Sequence, residues 1–340
     1  MRRGRGWIDC GGDWWGLPLL VEPGLVGDAV EPGGVVVGVD VGGTKTRAAV
    51  FDRHFDVIDD VTVPTLVGGP RRVQEGIVST VAGLRLGGRE LAGVGVGIPG
   101  IVDGSAGTVR HAFNLGVGGD VLEVASGVGA AVGAPCWVAN DVDAAALGVY
   151  EVVRRGRRRL GDLAYLSVGT GVAAGVVLGG RIYAGSNGFA GEIGHLRVDP
   201  DGQRCLCGMQ GCLEAVASGP ALARRWCASG RQSPVEALFA AAGRGEGPAA
   251  LIVERAAAHL AHAVHALALT FDVDRIVIGG GVADVGGPLL VDAIAHALRR
   301  VQSGSPWMEA LGLPGRIMLK PPEPVGVIGA AALTARGGAP

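Results

Sequence analysis

The chain has 340 residues, 62 of them glycine, and 30 basic against 32 acidic side chains give a formal net charge of −2. That length supports one large or two medium domains with proper cores. The near-neutral balance excludes a polybasic surface for nucleic acid. Residues 1–20 carry basic side chains, but Asp9 and Asp13 interrupt any apolar stretch, so they do not read as a secretory leader.

Residues 1–34 are rich in Gly, Pro and Trp and lack periodicity, which predicts an irregular extension. From Val35, "VVVGVDVGGTKTRAAVFD" reads as strand, Gly-Gly turn and strand, and "FDVIDDVTVPT" adds a third strand. "RRVQEGIVSTVAGLR" has helical spacing, and "LAGVGVGIPGIVD" is a buried strand running into a loop. "PCWVANDVDAAALGVYEVV" predicts a strand to Ala139, a polar turn at Asn140 and Asp141, and a helix. "LAYLSVGTGVAAGVVLGGRIYAG" repeats the logic of the first hairpin. Its uncharged run from Leu163 to Gly180 has the length of a membrane span, but five glycines with Ser and Thr favour a buried strand, turn and strand. A helix-rich stretch over 218–270 follows, then "DRIVIGGGVA" as a strand ending in three glycines, then an alanine-rich helix near Ile328–Ala335. This order fits two α/β domains, each opening on a glycine-turned hairpin. The first covers 35–141 and is completed by the C-terminal helix at about 326–336; the second covers 142–325.

Glycines at a hairpin tip let backbone amides approach an anion closely. In "DVGGTKT", Gly42 and Gly43 supply that backbone, Thr44 a hydroxyl and Lys45 a point charge, while Asp40 is placed to hold Mg2+ directly or through water. Lys45 stands out because Lys320 is the only other lysine. An ordinary Gly-Gly hairpin explains this stretch equally well taken alone, and its order is wrong for a Walker loop. Gly169, Thr170 and Gly171 form a second such turn, and Gly279, Gly280 and Gly281 offer flat backbone against which an adenine would lie. Three of these turns together point to a nucleotide cleft. Asn140 and Asp141 sit where a strand meets a helix. Asp141 by itself reads as a helix cap; beside a nucleotide cleft it becomes the carboxylate that accepts an alcohol proton. Asp143 is expected to be solvated or capping.

Six cysteines in a chain read as cytoplasmic favour metal binding over disulfides. Cys205, Cys207 and Cys212 with His195 supply three sulfurs and one nitrogen, a set suited to a closed, structural tetrahedral Zn2+ site in a loop over 195–212. Free thiols in a flexible loop are the alternative. Glu192 and Glu214 flank this loop, and acceptor-only carboxylates suit a polyol with several O–H donors. His259, His262 and His265 fall at three-residue spacing, which spreads them round a helix as surface or packing residues.

Taken together, "DVGGTKT", "GIPGIVD", "AFNLG", "NDVDAAALG", "GTGVAAG", "GEIGH", "CLCGMQGCLEA" and "IVIGGGVA" resemble the ROK family of sugar kinases and sugar-responsive repressors. The resemblance runs from about Val35 to the last helix. It implies a two-domain actin-like, ribonuclease-H-like fold closing over ATP, Mg2+ and a sugar in an interdomain cleft. It implies Asp141 as catalytic base and Asn140, Glu192, His195 and Glu214 as contacts to sugar hydroxyls, with Asn114 adding another. Zinc would be held by His195, Cys205, Cys207 and Cys212, and the protein would be a homo-oligomer, a dimer or tetramer. Departures are Ala173 where the family often has Gly, Asp143 where it often has Asn, and Val149 where it often has Glu.

The expected activity is ATP-dependent phosphorylation of a hexose or hexose-like polyol at its primary hydroxyl. Glucose is the default, with N-acetylmannosamine or a glucose-like C7-cyclitol as alternatives, and polyphosphate is the alternative donor to ATP. A sugar-sensing repressor is the rival of another class. The stretch before Val35, broken by Pro18, Pro23 and Pro32, is expected to be too short for a winged helix-turn-helix. Neither nucleic acid nor a membrane is expected as a partner.

Overall fold

The computed structural model describes residues 33–156, 160–228 and 231–336. The irregular extension expected over 1–34 thus lies outside the described residues up to residue 32. The first half contains β1 (Gly34–Val41), β2 (Lys45–Phe51), β3 (Val57–Pro64), α1 (Pro70–Ala82), β4 (Glu90–Ile98), β5 (Ile101–Asp103), β6 (Thr108–Arg110), β7 (Leu122–Glu123), α2 (Val124–Val132) and β8 (Cys136–Asn140). Then come α3 (Asp141–Arg155), β9 (Leu163–Val168), β10 (Val172–Leu178), β11 (Arg181–Ile182), α4 (Leu213–Ala217), α5 (Gly219–Ala223), α6 (Pro234–Gly243) and α7 (Gly247–Phe271). The chain closes with β12 (Arg275–Gly279), α8 (Gly281–Gln302), α9 (Pro306–Ala310), β13 (Ile317–Leu319) and α10 (Val325–Leu333).

Two five-stranded sheets repeat one plan. The first runs β3-β2-β1-β4-β8, the second β11-β10-β9-β12-β13, and β5-β6-β7 forms a small third sheet. In each large sheet an antiparallel hairpin leads into parallel strands: β1 pairs antiparallel with β2 and parallel with β4, and β9 pairs antiparallel with β10 and parallel with β12. The duplication seen in the glycine hairpins therefore extends to whole sheets. Side-chain alternation sorts the cores. Val35, Val37, Val39 and Val41 point to a core shared with α1 and α2, whereas Val36 faces a core shared with α10. In the second sheet Ala164, Leu166 and Val168 face the core of α7 and α8, and Leu163 and Tyr165 face α3.

Helix α3 lies between the sheets. It gives Ala144 and Leu147 to the core with α10, and Ala146, Val149, Tyr150 and Val153 to the core under β9. Its crossing with α10 is close because of two glycines: a Cβ on Gly148 would run into the Val325 carbonyl, and one on Gly329 into the Ala144 carbonyl. Both obstacles are backbone, which has little room to give. Gly329→Ala is expected to destabilise the protein by about 2–3 kcal/mol, read as a lower urea midpoint at unchanged slope. An unchanged midpoint would refute this account of the crossing.

Two expectations need correction. No polar turn separates β8 from its helix, since Asn140 is the last strand residue and Asp141 the first of α3. Asp143 is neither solvated nor the cap; it is buried, at 8% exposure. The long helix α8, absent from the sequence-based expectations, is kinked at Gly287 (φ 51°, ψ −140°) just before Pro288. Among the described residues α8 is the one helix long and apolar enough to cross a membrane. It also packs Val282, Leu290, Ile294 and Leu298 into the core of the second sheet.

Candidate active site and metal centre

Ligands of open α/β sheets gather beyond the carboxyl ends of the parallel strands. Here those ends deliver Asp40 from β1, Asn140 and then Asp141 from β8, Gly169 just after β9 and Gly280 just after β12. Asp40, Asp141 and Gly280, with Tyr165, Ser167, Asp284, Lys320 and Gly326, line a cavity of about 250 Å3. Asp40 reaches it because Gly326, at the start of α10, has no side chain where the Asp40 carboxyl lies. Burial pushes the Asp40 carboxyl up to about 6, against the opposing pull of Arg47. Burial also pushes Asp141 up to about 6, helped by the Asp40 charge and, less, by Glu192. A divalent cation held at Asp40 would offset the cost of burying its charge.

The cap of α3 is Asn140, not Asp141. Its Oδ1 accepts from the N–H groups of Val142 (2.8 Å) and Asp143 (3.4 Å), and its Nδ2 donates to the Gly100 carbonyl (3.1 Å). This fixes the first turn and leaves the Asp141 carboxyl free to face the cavity.

The two hairpin tips are built differently. At the first, the Gly42 N–H donates to the Lys45 carbonyl (2.9 Å), and the Thr65 hydroxyl donates to the Gly42 carbonyl (2.7 Å). Gly43, Thr44 and Lys45 are exposed, and the Lys45 ammonium has no ion-pair partner among the described residues. Asn114, exposed in the 3₁₀ turn Phe113–Leu115, places its Cβ next to Gly43. At the second tip the Gly169 N–H donates to the Gly171 carbonyl (2.9 Å) and the Gly219 N–H to the Gly169 carbonyl (2.7 Å), with Thr170 exposed. Glu214 Oε2 accepts from the Val172 N–H (3.1 Å) and occupies the space a Cβ on Gly171 would need. Of the third glycine run only Gly280 lines the cavity; Gly279 packs against the Tyr165 ring, and Gly281 opens α8 with clear space before it.

The sequence reading passed over Tyr165, Ser167, Asp284 and Lys320. Lys320 Nζ pairs with Asp284 Oδ1 at 3.0 Å, which sets a cation beside the two raised carboxylates. Its rarity was the available signal: it is one of two lysines, placed one residue past a strand.

The donor atoms of His195, Cys205, Cys207 and Cys212 all lie within 4.8 Å of one another. Cys205 Sγ is 3.8 Å from His195 Nδ1, and Cys207 Sγ is 3.7 Å from Cys212 Sγ. Tetrahedral zinc with Zn–S bonds of about 2.3 Å separates its sulfurs by about 3.8 Å, so the four residues fit that metal. The loop reaches this shape through Gly208 (φ 94°) and Gly211 (φ 80°), with the Cys205 N–H donating to the Met209 carbonyl (2.8 Å). With Nδ1 turned to the sulfurs, His195 presents Nε2 on its other side, 3.8 Å from Glu192 Oε2. Cys212 caps α4, and Glu214 two residues on reaches the second hairpin, so the metal loop and that glycine turn are tied together.

The chain is similar to known proteins over most of its length. The family model described as ROK family matches residues 36–336. The chain is 35% identical over 292 residues to a glucokinase of Streptomyces coelicolor, covering 81% of this chain and 90% of that protein. It is 32% identical over 256 residues to an N-acetylmannosamine kinase of Escherichia coli O157:H7, covering 74% and 85%. A crystal structure of a ROK family glucokinase from Streptomyces griseus, in complex with glucose and AMPPNP, superposes with a TM-score of 0.71 at 30% identity, covering 89% of this chain and 100% of that one. Its sheets arranged in the actin-like plan of these sugar kinases, the chain belongs to the ROK family.

Proposed function

We propose that this protein transfers the terminal phosphoryl group of ATP to the primary hydroxyl of a hexose or hexose-like sugar, with glucose as the first candidate. The carrying observation is Asp141: a half-buried carboxyl at the start of α3 that lines, with Asp40, a cavity at the strand ends. The glucokinase likeness supports the same reading.

In this mechanism the Asp141 carboxylate takes the proton of the attacking hydroxyl, the sugar oxygen bonds to the γ-phosphorus, and the bond to the β-phosphate oxygen breaks to release ADP. Gly42 and Gly169 close the two turns with their own amides, and the amides of Gly43 to Lys45 and of Thr170 and Gly171 donate to phosphate oxygens, where charge accumulates. Asp40 would hold Mg2+, which when bound neutralises phosphate charge. Asn114, Asn140, Glu192, His195 and Glu214 orient the sugar through its other hydroxyls. His195 Nδ1 and the three thiolates would hold a zinc ion that orders the loop and takes no part in the transfer. We place the protein in the cytoplasm and expect a homodimer or homotetramer.

The N-acetylmannosamine kinase likeness favours one second reading, an N-acetylhexosamine acceptor. Both are tested by ADP release with glucose, N-acetylmannosamine and a C7-cyclitol as acceptors, each against an acceptor-free control. The proposal expects glucose to give at least a tenfold higher kcat/KM than the others. Release no faster than the control with every acceptor would sink it.

A further inference from the structure

A second, larger cavity of about 540 Å3 lies on the other side of the α3 N-terminus. Its volume falls in the range of small-molecule sites, roughly 300–1,000 Å3. Leu147 and Leu333 contribute to an apolar floor, and Asn140 and Asp143 to a polar wall. Arg110, the last residue of β6, and Arg181, the first of β11, stand at its exposed rim. Of the residues assigned to the sugar and to the transfer, Asn140 lines it and Asn114, Asp141, Glu192, His195 and Glu214 do not.

Asp143 is the unexplained group. It is more than nine-tenths buried, lines this cavity, and makes no side-chain hydrogen bond or ion pair among the described residues. The sealed side-chain atoms without a partner among the described residues belong to Arg47, His259, His265 and Gln302, so the Asp143 carboxyl is not sealed off but opens onto the cavity. Burial, with the charges of Asp141 and Glu192, pushes its carboxyl up to about 8. Facing the cavity, this carboxyl is placed to accept the proton of a ligand hydroxyl. The two guanidiniums are likewise without ion-pair partners among the described residues, and their planar donor forks suit phosphate oxygens.

We propose that this cavity is a second ligand site for a small phosphorylated polyol, a sugar phosphate, with the phosphate on Arg110 and Arg181 and a hydroxyl on Asp143. Such a ligand belongs to the product class of the proposed reaction, and only its identity rests on that reading. Occupancy would be felt at the active site, because the Asp143 N–H shares the Asn140 cap that sets the first turn of α3.

Calorimetric titration of the full-length protein with glucose 6-phosphate, at saturating glucose, tests this without turnover. The proposal expects saturable binding that glucose does not displace, and inorganic phosphate binding more weakly at the same site. Arg181→Gln, on the exposed rim, is expected to weaken glucose 6-phosphate binding at least tenfold while kcat and KM for the sugar stay within twofold. Asp143→Ala is expected to weaken it likewise, with circular dichroism checking its fold. No saturable binding, displacement by glucose, or a loss under tenfold in Arg181→Gln would overturn the proposal. Because binding is read directly, a failure of the kinase reading would show in the acceptor panel and not here.

Discussion

Asp141→Asn is expected to lower kcat for phosphoryl transfer by about 10²–10⁴-fold while leaving the sugar KM within a few-fold. General-base catalysis contributes about that much, and the amide has the carboxylate's shape but cannot accept the proton. Stability should change little, because Asn140 and not Asp141 caps α3. The same group sets a pH limb. With its carboxyl raised to about 6, Asp141 is a competent base only above that value, and Asp40 is raised to about 6 as well, so kcat/KM should fall at least tenfold per pH unit below about 6. The residual activity of the Asn variant should keep only the Asp40 limb and fall less steeply. An undiminished rate in the variant would remove Asp141 from its role.

Stripping the metal should have the second large effect. The four donors are fit to surround one ion, and the loop between them has little apolar burial of its own, its core being Cys205, Cys212 and Ala215. Structural zinc contributes about 10–16 kcal/mol in zinc-finger peptides, far more than so small a cluster supplies. Burial also holds the free Cys212 thiol up to about 12, so the thiolate persists only beside a cation. Cys212→Ser, or treatment with a chelator, is expected to remove one zinc per chain, expose 195–212 to protease, and raise the sugar KM at least tenfold. The valine- and alanine-rich core around β9 and α7 should remain folded, since local opening need not propagate. A protein that elutes without zinc and keeps an ordered, protease-resistant loop would contradict this.

What the sequence revealed and what it hid follow from how local each signal is. The thiols and His195 declare themselves through spacing within one short segment, and the glycine hairpins through the abrupt change of character at a tip. Asp141 was visible once a strand end and a helix start met at it. Lys320, Asp284 and Tyr165 were hidden because three separate elements bring them to the cavity, and nothing local marks that meeting. Asp143 was misread for a similar reason: a charged residue in a first helical turn suggests solvent, and only the walls given by β5, β6 and the segment after β11 bury it. Helix α8 went without an expectation of its own, and Gly287 with Pro288 divides it into two helical pieces joined at a kink.

The placement of α10 bears on how the molecule is made. The helix that covers the α3 side of the first sheet, against Val36 and Ala49, follows every strand of both sheets in the chain. A nascent polypeptide emerging N-terminus first holds much of that apolar surface bare until Val325–Leu333 has emerged. A chain truncated before Val325 would therefore leave its opening lobe unfinished, whatever the state of the later one.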